Sequence, residues 1–206
     1  MGARGIILDR DGTLIDVVRD EELGAIVTAF HPKQVRLLPG VLEGLVALRD
    51  AGFVFAIATN QPGPAKGQYT ADAVARTNAE VVRILGEHGI TIAHVATCMH
   101  HPDGGPGGDP TLVGPCPCRK PKPGLVLECI ERLALDAGAS WMIGDTRSDV
   151  EAGVAAGTRT ALLFDPKRCE LCPLREGAGQ VRPTPDVHGA KLDAVARAIL
   201  GGSAAR

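Results

Sequence analysis

The sequence is poor in aromatic rings, in charge imbalance and in long apolar runs, and each shortage closes off a class of function. Aromatic residues make up 3% of the 206 positions, too few to offer stacking platforms to single-stranded nucleic acid. Lys and Arg number 22 against 24 Asp and Glu, the formal charge is -2, and no segment is a run of basic residues. A partner held by its phosphate backbone needs a basic groove, so no nucleic-acid partner is expected. No apolar run approaches bilayer-spanning length. The chain goes straight into "GARGIILD" with no basic stretch and signal-length apolar core, so the expectation is a soluble, cytoplasmic protein with no membrane partner. Six cysteines in such a setting point to metal or catalytic chemistry rather than to disulfides.

What is present is an alternation. The apolar runs "GIILD", "FVFAIATN", "ITIAHVATC", "SWMIGDT" and "TALLF" are separated by stretches of helical period such as "GVLEGLVALRDAG", "TADAVARTNAEVVRILGEHG", "PGLVLECIERLAL" and "SDVEAGVAAG". Strands apolar on both sides and joined by helices predict an α/β, Rossmann-like doubly wound parallel sheet with helices on both faces. No linker divides the chain, so one domain is expected over residues 1–200, followed by a disordered tail at 201–206, and the default state is a monomer. Segments 16–32, 101–115 and 165–188 fall outside the alternation. The second of these, "HPDGGPGGDPTLVGP", is too rich in Gly and Pro to pack a core of its own.

Doubly wound sheets bind ligands beyond the C-terminal ends of their strands. Those ends carry Asp9 with Asp11, Thr59 with Asn60, Cys98 with His100, and Asp145. Two carboxylates two positions apart raise each other's pKa unless a cation is near, so Asp9 and Asp11 ask for a metal or for a proton-transfer role. Asp145 follows another apolar strand, and Asp149 lies one helical turn further on. An all-oxygen ligand set of this kind suits magnesium, which keeps several waters and bridges to phosphate. The Thr59 hydroxyl and Lys120 complete the group.

"DRDGT", the Thr of "ATNQPG", the Lys of "RKPKPG" and "GDTRSD" stand in the order of the four motifs of the haloacid dehalogenase superfamily, which this chain resembles from Asp9 to Asp149. The resemblance implies a magnesium-dependent phosphomonoesterase acting on a small phosphorylated metabolite. Asp9 would be the nucleophile that forms an aspartyl-phosphate, and Asp11 the acid and then the base of the two half-reactions. It further implies magnesium held by Asp9, Asp145 and the main-chain carbonyl of Asp11. Lys120 would supply positive charge, Thr59 a contact to the transferred phosphoryl group, and Asp149 support for the metal shell or for Lys120.

A C-x-H at Cys98 and His100 and a C-x-C at Cys116 and Cys118 make a Cys₃His set of the kind structural zinc prefers, with His101 as a competing ligand. Such a clip staples a loop that has no core. It narrows the resemblance to the branch holding D-glycero-D-manno-heptose 1,7-bisphosphate 7-phosphatases and histidinol-phosphate phosphatase domains, whose spacing favours His100 and which lack a large cap domain. The 7-phosphate of the heptose bisphosphate is then the expected target, with histidinol phosphate the alternative. Arg119 would contact a second charge on the substrate, and Asn60 and Gln61 phosphate or sugar. A polynucleotide 3′-phosphatase and a zinc-containing binding module without catalysis are weaker rivals, the first lacking a basic groove, the second at odds with a complete motif set. Two departures stand out. The segment after the first motif lacks the Gly-Tyr-Val stretch of the heptose enzymes, and Cys169 with Cys172 adds a C-x-x-C with no assigned partners, His188 being one candidate.

Overall fold

A strand whose side chains are all buried needs cover on both faces, and β1 (Gly5–Leu8) is of that kind. The computed structural model describes residues 2–20, 25–165 and 182–202, and in it β1 lies inside a six-stranded parallel sheet. The other strands of the sheet are β4 (Val54–Asn60), β5 (Ile92–Cys98), β6 (Trp141–Gly144), β7 (Arg159–Leu163) and β8 (Val187–Gly189), in the order β5-β4-β1-β6-β7-β8. Ile6 and Leu8 join one apolar cluster and Ile7 the other, as the two-residue period of a strand demands. The doubly wound architecture read from the alternation is what the chain builds.

Each helix is held by the stripe it buries. On the Ile6 and Leu8 side lie α1 (Val41–Asp50), through Val41, Leu45 and Leu48, and α3 (Ala71–Glu87), through Val81 and Leu85. The Thr70 side chain caps α3 by accepting from Ala73 N at 3.1 Å. The same face is covered by α6 (Leu192–Gly202) through Leu192, Val195, Ala196 and Ile199. The Ile7 side is covered by α4 (Gly124–Arg132), through Leu125, Val126 and Cys129, and α5 (Arg147–Ala155), through Ala152. Each fully buried Leu or Ile contributes roughly 1.5–3 kcal/mol. Among the described residues no helix is long and apolar enough to cross a membrane.

The chain runs outward from β1 through β4 to β5, then returns to lay β6, β7 and β8 on the other side. The reversal falls between β1 and β6, where such sheets open a crevice. Leu8 pairs with Ile57 and with Ile143, so Asp9, Thr59 and Asp145 all leave the sheet at one end.

Two of the segments outside the alternation hold elements that periodicity did not predict. Residues 16–32 carry the antiparallel pair β2 (Val18–Asp20) and β3 (Ala25–Val27), and β8 lies within and just beyond 165–188. All are three residues long, too short for a period to register. The α6 helix begins after them, and the tail expected from residue 201 starts inside it at Gly201 and Gly202. Cys169 and Cys172 lie outside the described residues, while His188 sits on β8 with its side chain exposed. The short helix α2 (Gly63–Lys66) follows β4.

Helices α1 and α6 meet where α1 has no side chain. A Cβ at Gly44 would stand 2.8 Å from the Leu192 carbonyl carbon and 2.9 Å from Asp193 N. Alanine favours a helix over glycine by ~1 kcal/mol, but overpacking costs typically ~1–3 kcal/mol. Gly44→Ala is therefore expected to lower the midpoint of denaturant unfolding, and a raised midpoint would show that the two helices separate freely here.

Candidate active site and cysteine cluster

Beyond Leu8 the chain does not stay extended. Leu14 N and Ile15 N both donate to Arg10 O at 2.9 and 3.0 Å, and Gly12 N donates to Ile15 O at 2.8 Å. Gly12 has φ 81, a left-handed conformation that costs glycine little. The turn separates the two carboxylates that strand periodicity would aim together: Asp9 faces Lys120, and Asp11 is rotated toward Arg10 and Gln61.

Lys120 arrives from the loop before α4, and its ammonium is nearly fully buried. It donates to Asp9 Oδ1 at 2.7 Å and to Ala58 O at 2.7 Å, and pairs with Asp149 Oδ1 at 2.6 Å. Burial alone would push the Lys120 pKa down, but Asp149 and Asp9 outweigh it and hold the amine protonated. Asp9 is pushed up to about 6, mainly by loss of water around it; Lys120 opposes the rise, and the charges of Asp149 and Asp11 add to it. Asp149 comes from the first turn of α5, where it closes a capping box with Thr146 by accepting from Thr146 N at 3.0 Å and from its hydroxyl at 2.7 Å. The cap of α5 is thus Thr146. Close approach of β6 to α5 leaves no room for a side chain at Gly144, whose Cβ would stand 2.2 Å from Asp149 Cγ.

Carboxylate oxygens of Asp9, Asp145 and Asp149 lie within 4.8 Å of one another. Three carboxylates gather around one ammonium on a largely buried floor, and the metal-ligating atoms they offer are all oxygen. That donor set fits a small hard cation such as magnesium.

The other residues named from the sequence surround this floor. Thr59 is buried, and its hydroxyl accepts from Gln61 Nε2 at 2.8 Å. Gln61 is fully buried and also donates to Asp11 Oδ2 at 2.7 Å. Asn60 grips the backbone of Lys120 at both ends, Nδ2 donating to Lys120 O at 3.0 Å and Oδ1 accepting from Lys120 N at 3.1 Å. This splint between β4 and the lysine loop has no signature in sequence spacing. Arg119 donates through Nη1 to His100 O at 3.2 Å, and with Lys120, Lys122 and Pro121 it lines a cavity of about 330 Å³.

Cys98, His100, Cys116 and Cys118 form a second cluster, with donor atoms all within 4.8 Å of one another. Cys98 Sγ lies 3.7 Å from Cys116 Sγ, 3.0 Å from Cys118 Sγ and 3.8 Å from His100 Nδ1. Tetrahedral zinc with bonds near ~2.3 Å sets its sulfurs about 3.8 Å apart, so the donors suit that metal in kind, and the Cys98–Cys116 pair suits it in spacing. His101 points elsewhere: its Nδ1 accepts from Asp103 N at 3.3 Å. Cys129 stays apart, buried in α4.

Sequence reasoning passed over Arg10. It is fully buried, and its guanidinium meets Asp11 through Nε to Oδ2 at 3.0 Å and through Nη2 to Oδ1 at 3.2 Å. The available signal was a lone basic residue between two acids at the end of an apolar strand.

Residues 117–165 match the HAD-hydrolase-like family model. The D-glycero-beta-D-manno-heptose-1,7-bisphosphate 7-phosphatase of Pseudomonas putida is 32% identical over 158 residues, covering 77% of this chain and 81% of that protein. The enzyme of the same name from Escherichia coli is 31% identical, covering 77% of each. Among solved structures, the D,D-heptose 1,7-bisphosphate phosphatase of B. bronchiseptica, complexed with magnesium and phosphate, aligns with TM-score 0.73 at 28% identity, over 97% of this chain and 99% of that one.

Removing one partner of a buried ion pair strands the others, at about 3–5 kcal/mol. Lys120→Met should therefore lower the stability of metal-free protein by about 3 kcal/mol in chemical denaturation. Unchanged stability would mean that the ammonium is not what holds Asp9 and Asp149 together.

Proposed function

Because this chain belongs to the haloacid dehalogenase-like phosphatases, in the family of its heptose-bisphosphate relatives, we propose that it removes the 7-phosphate of D-glycero-D-manno-heptose 1,7-bisphosphate through an aspartyl-phosphate on Asp9. The single observation that carries the reading is the convergence of Asp9, Lys120, Asp145 and Asp149 at the crevice where the sheet reverses.

In this reading an Asp9 oxygen forms a bond to phosphorus while the bond from phosphorus to the sugar oxygen breaks. Asp11 gives its proton to that departing oxygen, so the sugar leaves as an alcohol. Water then attacks the aspartyl-phosphate, Asp11 takes the proton from the water, and the bond between Asp9 and phosphorus breaks to release inorganic phosphate. Lys120 holds the Asp9 carboxylate in place for attack, and the Thr59 hydroxyl faces the transferred oxygens.

Asp9, Asp145 and the main-chain carbonyl of Asp11 would hold magnesium, with Asp149 steadying Lys120 beside it. When bound, the ion offsets the repulsion between carboxylate and phosphate, roughly 4 kcal/mol per like-charge contact at ~4 Å and an effective dielectric near ~20. Cys98, His100, Cys116 and Cys118 would hold a structural zinc that ties the loop carrying Arg119 and Lys120 to the end of β5. Arg119, on the wall of the neighbouring cavity, would meet the second phosphate, with Asn60 and Gln61 ordering the loops around the phosphate being removed. Residues 1–200 act as one catalytic domain, and the working unit is a monomer in the cytoplasm.

Asp9→Asn should cut phosphate release by about 10³-fold or more while leaving the circular dichroism spectrum unchanged; turnover near that of the parent would end the assignment. Assayed side by side, the heptose bisphosphate should exceed histidinol phosphate in kcat/KM, and the reverse order would transfer the reading to the amino-alcohol phosphate. Elemental analysis of protein purified without chelator should find about one zinc per chain, and finding none would remove the clip.

A further inference from the structure

The buried guanidinium of Arg10 has more partners than a simple ion pair requires. Besides the two contacts to Asp11, Nη1 donates to Asn78 Oδ1 on α3 at 2.7 Å, and Nη2 donates to Thr28 Oγ1 at 2.9 Å and to Ala29 O at 2.8 Å. Asp11 is gripped from the other side as well: Gln61 Nε2 donates to Oδ2 at 2.7 Å and Ala29 N to Oδ1 at 3.3 Å. Asn78 is anchored in turn by donating through Nδ2 to Thr97 Oγ1 on β5 at 3.1 Å. Thr28 and Ala29 directly follow β3. One planar fork thus joins the Asp11 carboxylate to α3 and to the base of the β2–β3 hairpin.

A carboxylate that must donate a proton to a departing oxygen, and later collect one from water, has to keep its plane through both events. With 15% of its side chain exposed, Asp11 is not held by packing alone. A guanidinium fixes a carboxylate plane by two parallel contacts, which a point-charge ammonium cannot do. We propose that Arg10 is a positioning residue for both proton transfers: it orients the Asp11 carboxylate and, through Thr28 and Ala29, couples that orientation to the seating of the β2–β3 hairpin. The proposal rests on the reading of Asp11 as acid and base. It adds to that reading a residue that acts through Asp11 rather than on the substrate.

The leaving group distinguishes positioning from scaffolding. A nitrophenolate departs without help, a phenolate needs some, and a sugar alkoxide needs a proton in the transition state. Because kcat/KM reports the first irreversible step, a misaimed acid should lower it in that graded order, whereas general loosening of the site lowers all three alike. The assay compares 4-nitrophenyl phosphate, phenyl phosphate and the heptose bisphosphate for the parent, Asp11→Asn, Arg10→Lys and Asn78→Ala.

General acid catalysis is worth about 10²–10⁴-fold. Arg10→Lys, which keeps the charge but not the fork, should widen the gap between the first and last substrates by about tenfold, and Asn78→Ala by about threefold. For all three substrates kcat should fall, since Asp11 also serves the hydrolysis of the shared intermediate. If Asp11→Asn itself lowers the three equally, the assignment of Asp11 as acid fails. If Asp11→Asn is graded but Arg10→Lys is uniform or without effect at an unchanged melting temperature, the inference about Arg10 fails alone. Should Arg10→Lys melt below the assay temperature, Asn78→Ala decides: a graded loss supports the positioning of Asp11 by Arg10, and a uniform loss or none overturns it.

Discussion

One ammonium group organises the site. Lys120 lies between Asp9 from the end of β1 and Asp149 from the first turn of α5, groups from three remote parts of the chain. Charges this deeply buried are tolerated only when paired and hydrogen-bonded, so the lysine loop, β1 and α5 are mutually locked. The requirement reaches outward. Asn60 clamps the Lys120 backbone to β4, Gly144 lets α5 close on β6, and the Thr146 capping box holds the second Asp149 oxygen. Parallel strands are what allow such distant segments to end side by side.

Two donor sets share that end of the sheet without sharing chemistry. Oxygen donors gather at β1, β6 and α5, while sulfur and imidazole donors gather at the end of β5 and the loop before α4. Soft and hard cations sort themselves between such sets by ligand type. The sets are joined through three consecutive residues: Cys118 in one cluster, Lys120 in the other, and Arg119 between them bonded to His100 O. Order in the cysteine cluster therefore fixes the backbone from which the central ammonium projects.

Much of this was legible in the sequence because strand ends announce themselves. An apolar run stopping at a carboxylate, hydroxyl or thiol marks the end of a strand, and Asp9, Thr59, Cys98 and Asp145 were each placed at one end of the sheet that way. What stayed hidden depends on three-dimensional turns and on backbone partners. Strand periodicity aims Asp11 beside Asp9, but the turn at Gly12 redirects it. Asn60 reads as a ligand contact, whereas its amide is spent on a backbone sixty residues away. Arg10 and Asn78 look like ordinary surface polar residues until the fold buries them together. The hairpin strands and β8 escaped because three residues cannot display a period, and α6 because it lay beyond the last recognised strand.

The packing of α6 against α1 has a consequence for biosynthesis. The ribosome delivers all the parallel strands, and every donor of both clusters, before the helix that seals part of one face of the sheet. Until Leu192, Val195 and Ile199 emerge from the exit tunnel, Leu45 and Leu48 lack part of their cover. A nascent chain that has not yet made α6 therefore has its chemistry in place while still presenting an apolar flank, and that flank stays open to aggregation until the helix docks.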